Sequence, residues 1–181
     1  MQPEFHLSPE ESSLVENSAW LLTKQRIIGK VYGLFGLLSE QYSAMLEGYA
    51  GFIPEEVPKV SPKIYKGEMY QQLPYVMLDH PRFFDQKDVF AIRTFFWWGN
   101  DFSIHLVLGG VYRNQFIQSL LGHLQEGTLD TWSIGVSDDP WEHHFERDNY
   151  VDVHSWLQQK TYSIPGSYIK LGKRMYDPGM L

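Results

Sequence analysis

Residues able to do acid–base or anion-binding chemistry occur along one apolar, aromatic region, residues 73–110. They are Asp79, His80, Arg82, Arg93 and His105. A carboxylate, an imidazole and a guanidinium that converge at a strand end can bind an anion or transfer a proton. One hypothesis is therefore an enzyme for a small anionic or carbonyl substrate, with Asp79 as the acid–base group and His105 and Arg93 orienting the substrate. In the alternative interpretation Asp79 forms a structural ion pair with Arg93 or Arg82. His105 is then a buried imidazole whose hydrogen bonds are all made within the core.

A second set of residues could line a pocket for a small-molecule ligand beside the aromatic strands. This ligand-binding set is Arg82, Arg93, Trp97, Ser103 and His105. The ring of Trp97 could stack on a base or a sugar, although aromatic residues on strands more often belong to the core. We expect no nucleic acid as partner, because a net charge of −7 does not suit contacts with the phosphate backbone.

The segment from residue 141 to residue 154 is dense in candidate metal ligands. They are His143, His144, Asp148 and His154. Imidazole and carboxylate suit zinc, manganese or non-haem iron. Neither an HExxH pattern nor an EF-hand loop is present, and polar residues in such segments are usually solvated. A metal-dependent hydrolase is therefore a second alternative, and no metal is favoured.

Several classes of protein are excluded by what the sequence lacks. It has no phosphate-binding GxxxxGK[ST] loop, no GxGxxG after a strand and no GxSxG nucleophile motif. It also has no cysteine, which excludes disulfides, thiolate catalysis and Cys-ligated metal sites. We therefore expect no cofactor.

The length and the apolar pattern predict a single soluble domain over residues 1–181. The start of the chain lacks the basic and apolar stretches of a secretory signal. No run of eighteen apolar residues occurs, so we expect no membrane association. These features predict a cytoplasmic protein.

Two segments rich in β-branched and aromatic residues predict a hairpin over residues 88–109. They are joined by Gly99-Asn100-Asp101, and Gly and Asn tolerate the positive φ of a tight turn. A three-residue loop would pair Trp98 with Phe102. Arg93 and His105 would then share one face of the sheet, whereas a two-residue loop would move Arg93 to the apolar face. Only the three-residue loop places apolar side chains opposite apolar side chains on one face of the hairpin, so we prefer it.

The first fifty residues predict a long helix, or a helix pair, over residues 8–49. Ser8 is a suitable N-cap, and apolar or aromatic residues recur at every seventh position: Leu14, Leu21, Ile28, Phe35, Tyr42 and Tyr49. We expect this helix to lie across the sheet. The alternative is a helical dimer seam, in which Gly29, Gly33 and Gly36 allow close approach. A homo-oligomer is therefore a candidate assembly.

The rest of the chain predicts an α+β fold in which the long N-terminal helix packs on a mainly antiparallel sheet centred on the hairpin. Residues 51–62 form a Pro-rich connector. Residues 63–174 form the sheet, with one helix near 111–124 and another short helix around Trp156. A strand over Tyr75–Leu78 is expected to end in a turn at Asp79–Arg82, because Pro81 disfavours helical geometry at His80. Residues 175–181 form a loose tail.

The leading functional hypothesis is a small binding or interaction domain without catalytic chemistry of its own. It rests on the aromatic hairpin, the long helical stripe and the absence of a specific catalytic motif. The enzyme hypothesis and the metal-dependent hydrolase remain its alternatives.

Overall fold

The computed structural model describes residues 6–159, 164 and 166–176. Within these residues the chain has a mixed α+β fold, in which one antiparallel sheet of seven strands lies against helices. The strand order is β1-β2-β3-β4-β7-β5-β6. The helices are α1 (Pro9–Glu16), α2 (Ser18–Gly48), α3 (Gly110–Gln125) and α4 (Val153–Leu157), with a 3₁₀ turn at Val57–Lys59. The strands are β1 (Lys63–Tyr70), β2 (Leu73–Phe84), β3 (Val89–Trp97), β4 (Phe102–Gly109), β5 (Ser133–Gly135), β6 (Tyr150–Asp152) and β7 (Tyr168–Tyr176).

The N-terminal helical region is a pair of helices broken once, at Asn17. Ser8 caps α1 in a capping box with Glu11, as the sequence predicts. Asn17 leaves helical geometry, and its side chain accepts a hydrogen bond from the Trp20 amide at 3.0 Å, which starts α2. The long α2 helix then lies against the sheet, as expected.

The predicted hairpin is present, but its pairing differs from the expectation by two residues. Phe96 lies opposite Phe102, and Arg93 lies opposite His105. The predicted pair Trp98–Phe102 is therefore wrong, because the connection between the strands is longer than three residues. A shift of two residues leaves every side chain on the same face. The prediction that Arg93 and His105 share a face is therefore confirmed.

Strand β2 is longer than the sequence indicated. It does not end in a turn at Asp79 but continues to Phe84, with an irregularity in its pairing to β3 between Asp79 and Arg82. Pro81 lacks the amide hydrogen that a regular ladder of hydrogen bonds requires. The bulge at this point allows the strand to continue beyond the proline. Asp79 and Arg82 are consequently carried by one strand at a fixed separation.

The sheet has two different faces. On the helix face, Ile28, Val31 and Phe35 of α2 pack with Val76 and Leu78 of β2. A second apolar cluster on this face joins α3 and α4 to β4 and β7 through Tyr112, Leu124, Trp156, Leu108 and Ile169. Burial of these apolar surfaces is the main stabilising contribution to the fold.

The opposite face carries polar side chains from four neighbouring strands, and we call it the network face. Asp79, Arg93, His105 and Lys170 lie on it, each less than a tenth exposed. Residues 137–149, the cover segment, contain no helix or strand and lie over this face. The network face is therefore partly covered by irregular chain, whose polar backbone needs partners in the sheet.

The remaining predictions are mostly confirmed. The helix predicted near 111–124 is α3, and the short helix around Trp156 is α4. The predicted tail begins too early, because β7 continues through Tyr176. The rest of that tail, 177–181, lies outside the described residues. Within the part of the chain that the structure describes, no helix combines the length and apolarity needed to cross a membrane.

Candidate functional site

A buried ion pair lies at the centre of the network face. Asp79 of β2 and Arg93 of β3 are opposite each other, and the Arg93 Nε and Nη2 atoms donate to the two Asp79 carboxylate oxygens at 2.7 and 2.8 Å. Arg93 Nη2 also donates to the Tyr65 hydroxyl at 3.1 Å. Such two-point pairing orients both side chains more strongly than a single hydrogen bond. The planes and positions of both groups are therefore set before any ligand arrives.

His143 of the cover segment completes the surroundings of Arg93. Arg93 Nη1 lies 2.9 Å from His143 Nε2. Because a guanidinium only donates, Nε2 accepts and the imidazole is neutral. Burial, with the neighbouring charges, lowers the pKa of His143 well below its usual value. Its buried Nδ1 has no hydrogen-bond partner among the described residues.

Tyr70, at the end of β1, anchors the cover segment over this pair. Its hydroxyl accepts the amides of His143 and His144 at 2.7 and 3.1 Å and donates to the Glu142 carboxylate at 3.0 Å. Its ring contacts Trp97 edge-on at a centroid distance of 5.1 Å. Burial raises the pKa of Tyr70 to about 12, so the hydroxyl keeps its proton at neutral pH.

His105 belongs to a separate hydrogen-bonded set inside the core. Its Nε2 lies 2.9 Å from the Ser103 hydroxyl and its Nδ1 lies 2.7 Å from the Tyr150 hydroxyl. The imidazole is fully buried, and burial together with the charges of Arg93 and Lys170 lowers its pKa to about 3. A neutral imidazole sealed from solvent does not exchange protons with a bound substrate.

Lys170 of β7 fixes the cover segment at a second place. Its ammonium donates to the carbonyls of Asp139 and Glu142 at 3.1 and 3.2 Å and to the Asn149 side chain. Its charge also lies over the Tyr150 ring, 4.8 Å from the centroid. Burial lowers the pKa of Lys170 to about 8, so it is largely protonated at neutral pH. One side chain thus satisfies three acceptors of an otherwise irregular segment.

An open cavity of about 410 Å³ adjoins the ion pair, and we call it the hairpin pocket. It is lined by Lys63, Tyr65, Asp79, Arg82, Phe84, Arg93 and Trp141. Trp141 covers Arg93, with the guanidinium carbon 5.0 Å from its ring centroid, and Phe84 packs against Trp141 at 5.7 Å. The lining therefore combines three cationic groups, one carboxylate and aromatic walls.

A second cavity of about 640 Å³ lies between β7 and the segment before α4. It is lined by Thr131, Ser133, Phe145, Arg147, Tyr150, Val151, Asp152, Ser155, Lys173 and Arg174. Two of its cations are already engaged: Arg174 pairs with Asp101 at 3.0 Å, and Lys173 donates to Thr131 at 3.0 Å. This second cavity is larger than the hairpin pocket but has no buried ion pair at its base.

The structure brings together only part of the predicted site. Asp79, Arg82 and Arg93 line one pocket. His105 and Ser103 are completely buried, and Trp97 is packed beneath Tyr70. Of the three groups named in the enzyme hypothesis, Asp79 and Arg93 therefore bind each other, whereas His105, opposite Arg93 on the next strand, makes its hydrogen bonds to Ser103 and Tyr150.

Sequence reasoning missed Lys63, Tyr65, Tyr70, Trp141 and Lys170. The signal for Lys170 was present, since it interrupts the apolar run Tyr168-Ile169-Lys170-Leu171 within the region predicted to form the sheet. A charged residue at such a position requires a buried partner. Trp141 and Tyr70 gave no comparable signal, because their contacts join segments far apart in the chain.

The candidate metal ligands are not arranged around a common point. His143 contacts Arg93, whereas His144 lies 3.5 Å from Glu142 and 3.9 Å from Asp148. His154 contacts Gln158 on the exposed side of α4. Over residues 6–159, 164 and 166–176, no group of three or more His, Asp or Glu side chains is placed to hold a metal ion.

Comparisons with protein-family models, with curated proteins and with solved structures found no match for this chain. The function is therefore inferred from the geometry described above.

Proposed function

We propose that this protein is a binding domain that takes a small anionic ligand carrying a planar ring in the hairpin pocket. The observation that carries the proposal is the buried Asp79–Arg93 pair at the base of a cavity whose rim bears Lys63 and Arg82. Pockets for small molecules are mostly apolar and contain a few polar groups in fixed positions. The size of the cavity, about 410 Å³, is within the range of such pockets.

The chemistry of the lining defines the class of ligand. Arg82 and Lys63 supply positive charge for a carboxylate or a phosphate, and an Arg fork suits two-point contact with either group. Trp141 and Phe84 offer ring faces for a planar group. Arg93 is held by Asp79, Tyr65 and His143, so it forms a fixed polar base of the pocket, and the charge of the ligand is met by Arg82 and Lys63.

Binding is better supported than catalysis. The Asp79 oxygens already accept hydrogen bonds from Arg93, and His105 lies outside the pocket lining. A general base must reach the proton that it removes. The catalytic alternative would need Asp79 to release Arg93, which would leave a buried charge without its partner.

The proposal is tested with phenyl phosphate as the probe, followed by ¹H–¹⁵N NMR at pH 7. We expect chemical-shift changes at Lys63, Arg82 and Trp141 and a dissociation constant in the millimolar range or below, with weaker binding of inorganic phosphate. Arg82→Glu should reduce affinity at least tenfold. The matched control is Arg147→Glu, in the second cavity, which should leave the affinity unchanged.

Two results would contradict the proposal. One is the absence of shift changes at the hairpin pocket with phenyl phosphate, benzoate and phenyl sulfate at 10 mM. The other is binding that Arg147→Glu removes and Arg82→Glu does not, which would assign the ligand to the second cavity.

The cytoplasmic location predicted from the sequence stays a prediction.

A further inference from the structure

Beyond the stripe that packs on the sheet, α2 exposes several large apolar side chains. Ile28, Val31 and Phe35 are its buried residues. Large apolar residues elsewhere on the helix are exposed, among them Trp20, Leu21, Leu22, Ile27, Leu34, Leu37 and Met45. Leu22 and Leu37 are each more than 60% exposed. At 100° per residue, Leu22 and Leu37 lie on the side opposite the buried residues, which is the outer face of α2, whereas the other five flank the buried stripe. Single exposed apolar residues are ordinary, but this many on one helix mark an interaction surface.

The centre of this outer face is made of small residues. Gly29, Gly33 and Gly36 occur at three- and four-residue spacing, which places them on one side of the helix. A Cβ built on any of the three meets no atom within 4 Å. Glycine lowers helix stability, and nothing in the described part of the chain uses the space that it leaves. The space is therefore open to another molecule.

The exposed charges on this face are divided about Gly33, with Arg26 and Lys30 before it and Glu40 and Glu47 after it. Arg26 is seven residues before Gly33 and Glu40 is seven residues after it, and both are exposed. In two antiparallel copies of α2 that cross at Gly33, Arg26 of each copy lies opposite Glu40 of the other. A parallel pair would instead place Arg26 against Arg26, which is unfavourable. The charge pattern thus complements itself in one orientation only.

The apolar residues of the face follow the same symmetry. About the same centre, Leu37 lies opposite Gly29 and Leu22 lies opposite Ala44. A large side chain therefore meets a small residue at each position, which is the arrangement of knobs and holes that lets two helices approach closely. Shape and charge therefore favour the same pairing.

We propose that α2 is the interface of a homodimer, in which a second copy of this chain packs its α2 antiparallel across Gly33. With 31 residues, α2 is roughly 46 Å long, and a face about 11 Å wide buries roughly 1,000 Å² over both copies. That area is near the lower limit for a specific interface. A dissociation constant in the micromolar range is therefore expected. This inference is independent of the ligand proposed for the hairpin pocket.

The first experiment is a charge swap, followed by sedimentation equilibrium from 1 to 200 µM. The wild-type chain should dimerise, and Arg26→Glu or Glu40→Arg alone should weaken the dimer at least tenfold. The double variant R26E/E40R should restore it, because the two pairs re-form with reversed sign. Lys87→Glu, an exposed charge on the β2–β3 turn, is the control and should not change the dissociation constant.

The second experiment uses the lack of native cysteine for crosslinking under mild oxidation. Gly33→Cys should form a disulfide-linked dimer, because both copies of this position meet at the twofold axis. Arg26→Cys alone should not, since its two copies lie roughly 21 Å apart in the antiparallel pair. R26C/E40C should crosslink again. This readout remains valid if a charge variant folds poorly.

Three outcomes would overturn the inference. The wild-type chain could be monomeric up to 200 µM, which would leave α2 to a different partner or to a lipid surface. Both single charge variants could dimerise as well as the wild type. Alternatively, Arg26→Cys alone could crosslink efficiently, which would require a parallel pair.

Discussion

Arg93 and Asp79 are joined by two parallel hydrogen bonds of 2.7 and 2.8 Å, and their residues are only 6% and 2% exposed. The pair links β2 to β3 beneath the cover segment. A buried charge of this kind is tolerated because its partner and its other hydrogen bonds are all in place. It therefore specifies how the strands and the cover segment meet, whatever its net contribution to stability.

Asp79→Asn should destabilise the fold strongly, because it leaves the Arg93 charge buried without a counter-ion. Removal of one partner of a buried pair costs about 3–5 kcal/mol. Urea unfolding at pH 7 measures the change in the free energy of unfolding. Asp148→Asn, at a carboxylate whose side chain is 79% exposed, is the matched control and should change it by less than about 0.5 kcal/mol. Equal effects of the two changes would show that the pair has no structural role.

The stability of the fold should fall as the pH is lowered from about 6.5 towards 3, in part through His105. Burial lowers its folded-state pKa to about 3, so in this window the unfolded chain binds a proton that the folded chain does not. The shift corresponds to about 5 kcal/mol in total, lost progressively on acidification. His143 acts in the same direction.

The variant His105→Gln isolates this effect, because glutamine can bond to Ser103 and Tyr150 but does not titrate. Between pH 6 and pH 4, its free energy of unfolding should fall less steeply than that of the wild type, by up to about 1.4 kcal/mol per pH unit. Urea unfolding across this range gives both slopes. Parallel curves for the two proteins would disprove the assignment to His105.

Lys170→Met should loosen the cover segment. Three acceptors lose their common donor: the carbonyls of Asp139 and Glu142 and the side chain of Asn149. Each buried acceptor left without a partner costs about 1–3 kcal/mol, so we expect a loss of at least about 3 kcal/mol. Hydrogen exchange should also become faster across residues 137–149. Lys173→Met, at a partly exposed position on the same strand, serves as the comparison and should leave that exchange unchanged.

Gly33→Ala should have opposite effects on the monomer and on the proposed dimer. An alanine Cβ meets nothing within 4 Å in the single chain, and alanine favours a helix over glycine by about 1 kcal/mol. In the Arg26→Glu variant, whose dimer is expected to be weak, adding Gly33→Ala should therefore raise the temperature of thermal unfolding. In the wild-type background, sedimentation should show a weaker dimer, because the methyl group separates the two helices. A stronger dimer would contradict close packing at this position.

The regular elements were predictable because their signals are local. Apolar residues at helical spacing indicated α2. In β4, Ser103 and His105 alternate with the apolar residues Phe102, Ile104 and Leu106, which is the pattern of a strand. This alternation has a period of two, so it determined which residues share a face but not which residues pair. That is why the common face of Arg93 and His105 was predicted correctly while the pairing was wrong by two residues.

The composition of the candidate site depended on contacts that no local pattern encodes. The sequence offered Asp79 either Arg82 or Arg93 as a partner, and only the pairing of β2 with β3 selected Arg93. The contact between Arg93 and His143 joins positions 50 residues apart.

By itself, then, the sequence determined the helical regions, the hairpin and the face that each hairpin residue occupies, because these follow from the preferences of neighbouring residues. Only the tertiary structure decided which polar groups are buried together, which line a pocket and which side of α2 remains uncovered. Those outcomes depend on how distant segments pack, and on the requirement that a buried charge find its partner there.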